Sequence, residues 1–319
     1  MSRKSLILVI FVLLWPLAGC TSNTQGSSAI MDNMLSVTAE PYAAAEIAET
    51  DYQVGKVPLS CNFHIQREFD VFISQAQPYD IDGELLGATV PHHLLAGSMI
   101  ANFFATAAAN RPGIETVIII APMHDSKGMK MCTTLADWAA PTGILPNERG
   151  FSEIFISGLK AVEDDIMMTS DHSAAALIPF VKHYFPGAAV ATLLISSHAD
   201  INIHEQLADI LMRFSVEKNC LFVFSVDFSH YLNPGQTALR DMETREAVLA
   251  GDTNRIMFMN DANMDSPRAV CTFLLLTGKL GGEVVELDHA DSLIISQLPP
   301  GHPGLDEGLT SYFLFAGVK

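Results

Sequence analysis

Three histidines stand directly after apolar runs. Pro91-His92-His93 follows Leu85 to Val90, Met123-His124 follows Ala121-Pro122, and His230 closes Val226-Asp227-Phe228-Ser229-His230. Neutral imidazole is a good ligand for iron, copper and zinc, and a buried strand end holds side chains rigidly enough to converge. With 11 histidines in the chain, one such placement would mean nothing, but three in succession are better than chance and mark these strand ends as candidate metal-binding positions. His93 follows His92 and points elsewhere if the backbone is extended. Asp227 and His230, three apart, can share one side of a turn as ligand, general base or orienting partner. His172 sits in Asp171-His172-Ser173 before a helix starting near Ala174, which Asp171 or Ser173 could simply cap. A contiguous Asp-His-Ser is not a catalytic triad, whose members converge from separate segments. Cys271, inside Ala269-Val270-Cys271-Thr272-Phe273, reads by itself as a buried core cysteine.

These residues need a scaffold, and the hydrophobic pattern supplies one. Strands are predicted at Leu85 to Val90, Thr116 to Ala121, Val190 to Ile195, Leu221 to Val226, Glu283 to Leu287 and Ser311 to Phe315. Helices are predicted at Ser98 to Asn110, Phe151 to Ala161, Ser173 to Phe185, His204 to Phe214, Thr237 to Leu249 and Arg268 to Gly278. The alternation predicts a single α/β domain over 56–319, with a mixed, largely parallel central sheet flanked by helices. Ligands of open α/β sheets bind beyond the carboxyl ends of the strands, where the histidines fall. Met129 and Met131 near Cys132 read as incidental to a loop. Walker, dinucleotide and nucleophile-elbow motifs are absent, and Ala208 stands where a zincin helix starting at His204-Glu205 needs its second histidine.

Eighteen Lys and Arg against 36 Asp and Glu give a net charge of -18, which argues against nucleic acid as a partner. At 319 residues and 49% hydrophobic composition, the chain is neither disordered nor a small disulfide scaffold. Arg3 and Lys4, the apolar run Leu6 to Trp15, and Leu17-Ala18-Gly19-Cys20 have the layout of an export signal. The end of that segment resembles a bacterial lipobox, which implies a signal over 1–19 and lipidation at Cys20. A polar tether over 20–55 would then hold the domain at the cell envelope. Thr21 after the cysteine favours, by the same resemblance, the outer membrane or periplasmic side in a Gram-negative cell. Cys61, Cys132, Cys220 and Cys271 leave disulfides and free thiols both open.

Pro91-His92, Ala121-Pro122-Met123-His124, Asp171-His172-Ser173, Ser225 to His230 and Val270-Cys271 occur in the order and approximate spacing of the Memo-like family. This family, AmmeMemoRadiSam system protein B, is similar in fold to the class III extradiol (LigB-type) dioxygenases. The resemblance covers about Leu85 to Gly317 and implies a metal centre of His92, His124 and Cys271, with iron or copper favoured and zinc as a further candidate. It implies Asp227, His230 and His172 as the neighbouring polar groups that handle protons. His92-His93-Leu94-Leu95 departs from the family's histidine-alanine-glycine-tyrosine stretch, so an aromatic wall is missing. Three functions are carried forward: a metal-dependent redox protein or dioxygenase-like enzyme, a non-catalytic lipoprotein binding a small molecule or peptide, and a metal-dependent hydrolase.

Overall fold

The computed structural model describes residues 56–215, 218–297 and 308–319. The expected signal, the tether and Cys20 lie outside the described residues. No helix among the described residues is long and apolar enough to cross a membrane.

The main sheet has eight strands. In chain order they are β2 (Leu85–Val90), β3 (Thr116–Pro122), β4 (Met131–Thr133), β7 (Val162–Glu163), β8 (Ala189–Ile195), β9 (Cys220–Ser225), β10 (Glu283–Asp291) and β11 (Ser311–Val318). Their spatial order is β10-β11-β2-β9-β3-β8-β4-β7. The central four, β2, β9, β3 and β8, are parallel, and antiparallel β11 and β10 extend one side. A separate small sheet joins β1 (Leu59–Ser60), β5 (Trp138–Ala140) and β6 (Gly143–Leu145). Its strands are too short to leave a periodic signal in the sequence.

Side chains of the central strands alternate between two apolar layers, as the two-residue repeat of a strand requires. Val117, Ile119, Leu221 and Val223 join one core with the helices Gly97–Asn110 and Ile178–Tyr184. Ile118, Ile120, Phe222 and Phe224 join the other with the helices Arg149–Leu159, Ile203–Ser215 and Pro267–Lys279. Burial on both faces explains why these strands read as unbroken apolar runs. A Cβ on Gly87 would lie 2.3 Å from the Phe222 carbonyl oxygen, so only glycine lets β2 lie this close to β9.

Two local expectations change. The single helix expected from Ser173 to Phe185 is two, His172–Ala175 and Ile178–Tyr184. Pro179 has no N–H to give the Ala175 carbonyl, so the first turn ends there. The Met131-Cys132 segment is strand β4, not loop, pairing with β8 through Met131↔Ile195 and Cys132↔Leu194. The four described cysteines are buried free thiols.

Candidate metal centre

β9 lies between β2 and β3, so the segment after β9 emerges between the segments after its two neighbours. His92 follows β2, His124 follows β3, and Asp227 and His230 follow β9. One rim of the sheet therefore gathers residues that are far apart in sequence. His172 reaches the same place from the first residue of its short helix.

His92, His124 and His172 each offer a ring nitrogen within 4.8 Å of the others. The His92 ring meets those of His124 and His172 edge-on at centroid distances of 5.4 and 5.2 Å, while His124 and His172 stack at 4.5 Å. Phe63, between β1 and the first described helix, packs on His172 at 5.9 Å.

Each of two imidazoles is oriented by a partner on its far side. The Ser225 hydroxyl donates to the Ser173 carbonyl at 2.6 Å, which uses its only proton. Its oxygen, 2.9 Å from His92 Nδ1, therefore accepts the Nδ1–H and leaves Nε2 as a lone pair. His124 Nδ1 lies 3.0 Å from Asp171 Oδ1, and the His124 amide donates to Asp171 Oδ2 at 2.8 Å. A carboxylate accepts only, so His124 also keeps its hydrogen on Nδ1 and presents Nε2. Asp171 is also the cap that the sequence suggests, accepting from the Ser173 amide at 3.0 Å. No described residue hydrogen-bonds to the ring of His172.

Acidic side chains lie close to these rings. His92 Nε2 is 3.3 Å from Asp265 Oδ2 and 3.6 Å from Asp227 Oδ2. Burial, then the nearby Asp227 charge, pushes the Asp265 carboxyl well above the usual carboxylate range. Burial, then the neighbouring His172 and His124, pulls His92 well below the ordinary imidazole value, so its nitrogen stays unprotonated. Burial, then His124, also lowers His172. His124 is opposed by burial, but the hydrogen bond and charge of Asp171 outweigh it and raise its value. Two buried polar atoms here, Asp265 Oδ1 and His230 Nδ1, have no hydrogen-bond partner among the described residues. Three imidazole nitrogens within 4.8 Å of one another, with carboxyl groups beside them, are a donor set that fits a metal.

Asp265 is the residue that the sequence reading missed. It lies two positions before the helix Pro267–Lys279, and its amide donates to the Asp227 carbonyl at 3.1 Å. Its Oδ2 in turn accepts from the Asp227 amide at 3.2 Å. The Asp265-Ser266-Pro267 start of that helix was the signal available. Cys271, expected beside His92 and His124, is outside the cluster. It lies within that helix in the core on the sheet's other face, with Sγ 3.6 Å from the Thr253 carbonyl oxygen. Burial pushes its thiol up to about 12. Helix geometry accounts for this placement: Cys271 is on the stripe with Val270 and Leu274 that packs against the sheet, whereas Asp265 precedes the helix.

The His92 amide donates to Asp227 Oδ1 at 3.1 Å, and the His230 amide donates to the Asp261 carbonyl at 2.9 Å.

A family profile described as "Memo-like protein" matches residues 65–292. The chain belongs to the Memo-like family. A MEMO1 family protein of Thermoplasma acidophilum is 23% identical over 219 residues, covering 66% of this chain and 80% of the relative. One from Desulfurococcus amylolyticus is 24% identical over 217 residues, covering 65% and 76%. A crystal structure of an uncharacterized protein from Escherichia coli K12 aligns with 73% of this chain and 99% of its own, at 9% identity and a TM-score of 0.46.

Proposed function

We propose that this Memo-like protein is a metal-dependent oxidoreductase of the dioxygenase-like kind, its ion held by His92, His124 and His172 with the Asp265 carboxylate alongside. The observation that carries this reading is the convergence of three imidazole nitrogens within 4.8 Å of one another. With no thiolate in the cluster, the donors are nitrogen and carboxylate oxygen, a set suited to iron and also to copper or zinc. Bound there, iron or copper would supply one-electron chemistry toward oxygen or a bound substrate.

The chain's own residues do the rest. Ser225 and Asp171 hold His92 and His124 with Nε2 presented. Asp227, anchored at Oδ1 by the His92 amide, offers Oδ2 to take a proton from a substrate hydroxyl. The buried, unpartnered Nδ1 of His230 is a second station for that proton. A hydrolytic use of the centre is the second reading, because three imidazoles also suit zinc with a bound water.

The test is anaerobic reconstitution with Fe(II), Cu(II) or Zn(II) separately, followed by elemental analysis and oxygen-uptake measurement with catechol as probe. The reading expects one ion per chain in the intact protein, lost in His124→Ala and in His172→Ala. Full occupancy in a protein lacking all three imidazoles would reject the centre. Metal-dependent ester cleavage without oxygen uptake would favour the hydrolytic use.

We also propose that the protein is exported and held at the envelope by lipid on Cys20. Support comes from Arg3 and Lys4, the apolar run to Trp15, and Leu17-Ala18-Gly19-Cys20. Mass spectrometry of the mature N-terminus tests it. Cys20→Ser is expected to move the protein to the soluble fraction, and an unmodified, uncleaved Met1 terminus on the native protein would reject it.

A further inference from the structure

The helix Pro234–Leu249 turns polar residues inward. Thr237, Asp241 and Thr244 share one face at helical spacing, and all three are buried. An amphipathic helix ordinarily buries an apolar stripe. A buried carboxylate loses its hydration, and only well-placed donors offset that loss.

Three donors converge on Asp241. Ser311 Oγ, at the start of β11, donates to Oδ1 at 2.6 Å, and Ser229 Oγ lies 3.0 Å from the same oxygen. His289 Nε2, on the edge strand β10, is 2.9 Å from Oδ2, and because a carboxylate only accepts, that nitrogen carries the hydrogen. The two serine hydroxyls are 2.8 Å apart, and the Ser229 amide donates to Ser311 Oγ at 3.1 Å. Both serines are fully buried. One side chain thus ties the segment after β9 to β10 and β11.

Ser229 stands two residues after Asp227, and Asp227 lies at the histidine cluster. Asp227 Oδ1 accepts from the His92 amide at 3.1 Å, and Oδ2 is 3.6 Å from His92 Nε2. The backbone between Asp227 and Ser229 is paired to β11: the Phe228 amide donates to the Ser311 carbonyl and the Ser311 amide to the Ser229 carbonyl, each at 2.9 Å. Just beyond, the chain passes through Tyr231 at φ 58°, a left-handed conformation that is costly for a residue with a Cβ. Backbone of this kind persists where its surroundings over-determine it. The same helix also reaches the segment that supplies Asp265. Asn263 Nδ2 donates to Thr244 Oγ1 at 3.1 Å and to the Arg240 carbonyl at 3.3 Å.

We propose that Asp241 is a positioning residue: through Ser229 and Ser311 its carboxylate seats the turn after β9 so that Asp227 faces the histidine cluster. This deepens the oxidoreductase reading and rests on it for the use made of Asp227. His92, His124 and His172 come from other segments, so loss of Asp241 frees the turn and leaves the three imidazoles in place.

The test compares Asp241→Ala, Asp241→Asn and Ser311→Ala in the full protein, metal-free and iron-loaded. Ser152→Ala is the reference for a lost buried hydrogen bond elsewhere, since Ser152 donates to Asn147 Oδ1 at 3.1 Å. In the metal-free protein, hydrogen exchange at the Ser229 and His230 amides is expected to quicken about tenfold more in Asp241→Ala than in Ser152→Ala. The His92 amide signal, which reports the contact with Asp227, should move in Asp241→Ala and Ser311→Ala and stay in Ser152→Ala. Asp241→Asn keeps an oxygen for the serines and turns its amide to His289, so it should restore both readouts. In the iron-loaded protein, kcat for catechol-dependent oxygen uptake should fall about tenfold in Asp241→Ala at unchanged iron content and recover in Asp241→Asn. A stationary His92 signal, exchange no faster than in Ser152→Ala, an Asp241→Asn as disturbed as Asp241→Ala, or an unchanged kcat would overturn the proposal. If Asp241→Ala does not fold, Ser311→Ala carries the same amide measurements. No metal-dependent oxygen uptake by the unaltered protein would defeat the oxidoreductase reading, while the metal-free measurements still decide the role of Asp241.

Discussion

Removing the Ser225 hydroxyl should weaken metal binding without touching a ligand. In the folded protein Ser225 Oγ accepts from His92 Nδ1 at 2.9 Å and donates to the Ser173 carbonyl at 2.6 Å. His92 is 1% exposed, so no water can replace the lost partner without rearrangement. Ser225→Ala strands one buried N–H and one buried carbonyl, a penalty of about 2 kcal/mol. In a domain of this size that lowers Tm by roughly 5 °C. The metal effect has a separate origin. Without Ser225 the His92 hydrogen can move to Nε2, and each such molecule has lost a ligand lone pair. Loss of an orienting partner of this kind typically costs about 10–100-fold in affinity. Competition of a chromophoric chelator for Zn(II) measures it directly. Ser152→Ala is the control: Ser152 is fully buried and donates to Asn147 Oδ1 at 3.1 Å, remote from the cluster. It should lose comparable stability and keep wild-type affinity. Zn(II) affinity in Ser225→Ala within twofold of wild type would refute the tautomer argument.

Asp265→Asn should move stability and binding in opposite directions. It removes a buried carboxyl that faces Asp227, stabilising the metal-free protein by about 1 kcal/mol in urea unfolding, while Zn(II) affinity drops about tenfold. Cys271→Ser should leave metal content and affinity unchanged and cost about 1–2 kcal/mol of stability, since the side chain sits in the apolar core; loss of metal would return the thiol to the centre. Burial lifts Cys61, Cys132, Cys220 and Cys271 from 9.0 to about 12. Unfolded thiols ionise first, so their contribution is complete below about pH 9 and is lost as pH rises toward about 12, at up to about 1.4 kcal/mol per thiol per pH unit. Urea midpoints should fall steeply above about pH 9, less so in Cys132→Ala, and a flat profile would contradict the burial of these thiols.

The sheet was legible because its central strands are apolar on both faces and stand between turn residues. Leu85–Val90, Thr116–Pro122 and Cys220–Ser225 needed only their composition to be found. The three histidine-bearing strand ends were legible for the same reason, since each follows such a run. What stayed hidden depends on spatial order. That β9 inserts between β2 and β3 has no local trace; the resemblance implied His172 as a neighbouring polar group, but nothing in the sequence showed that it joins His92 and His124 as a third imidazole. Asp265 was hidden because an aspartate before Ser-Pro at a helix start has an ordinary reading as turn chemistry. Cys271 misled because family spacing was matched through a helix whose rotation the sequence does not state. Ser225 was visible in the motif, but its role depends on a carbonyl 52 residues away.

The insertion of β9 between β2 and β3 also constrains when the centre can exist. His92 and His124 are synthesised early, yet their pocket lacks its middle wall until the polypeptide beyond Cys220 has been made and threaded into place. Loading of an ion at this cluster would therefore belong to the end of folding, after slow, non-local pairing. If the chain crosses a membrane unfolded, it does so empty. An ion bound after such export would be chosen by the supply in the compartment where folding finishes.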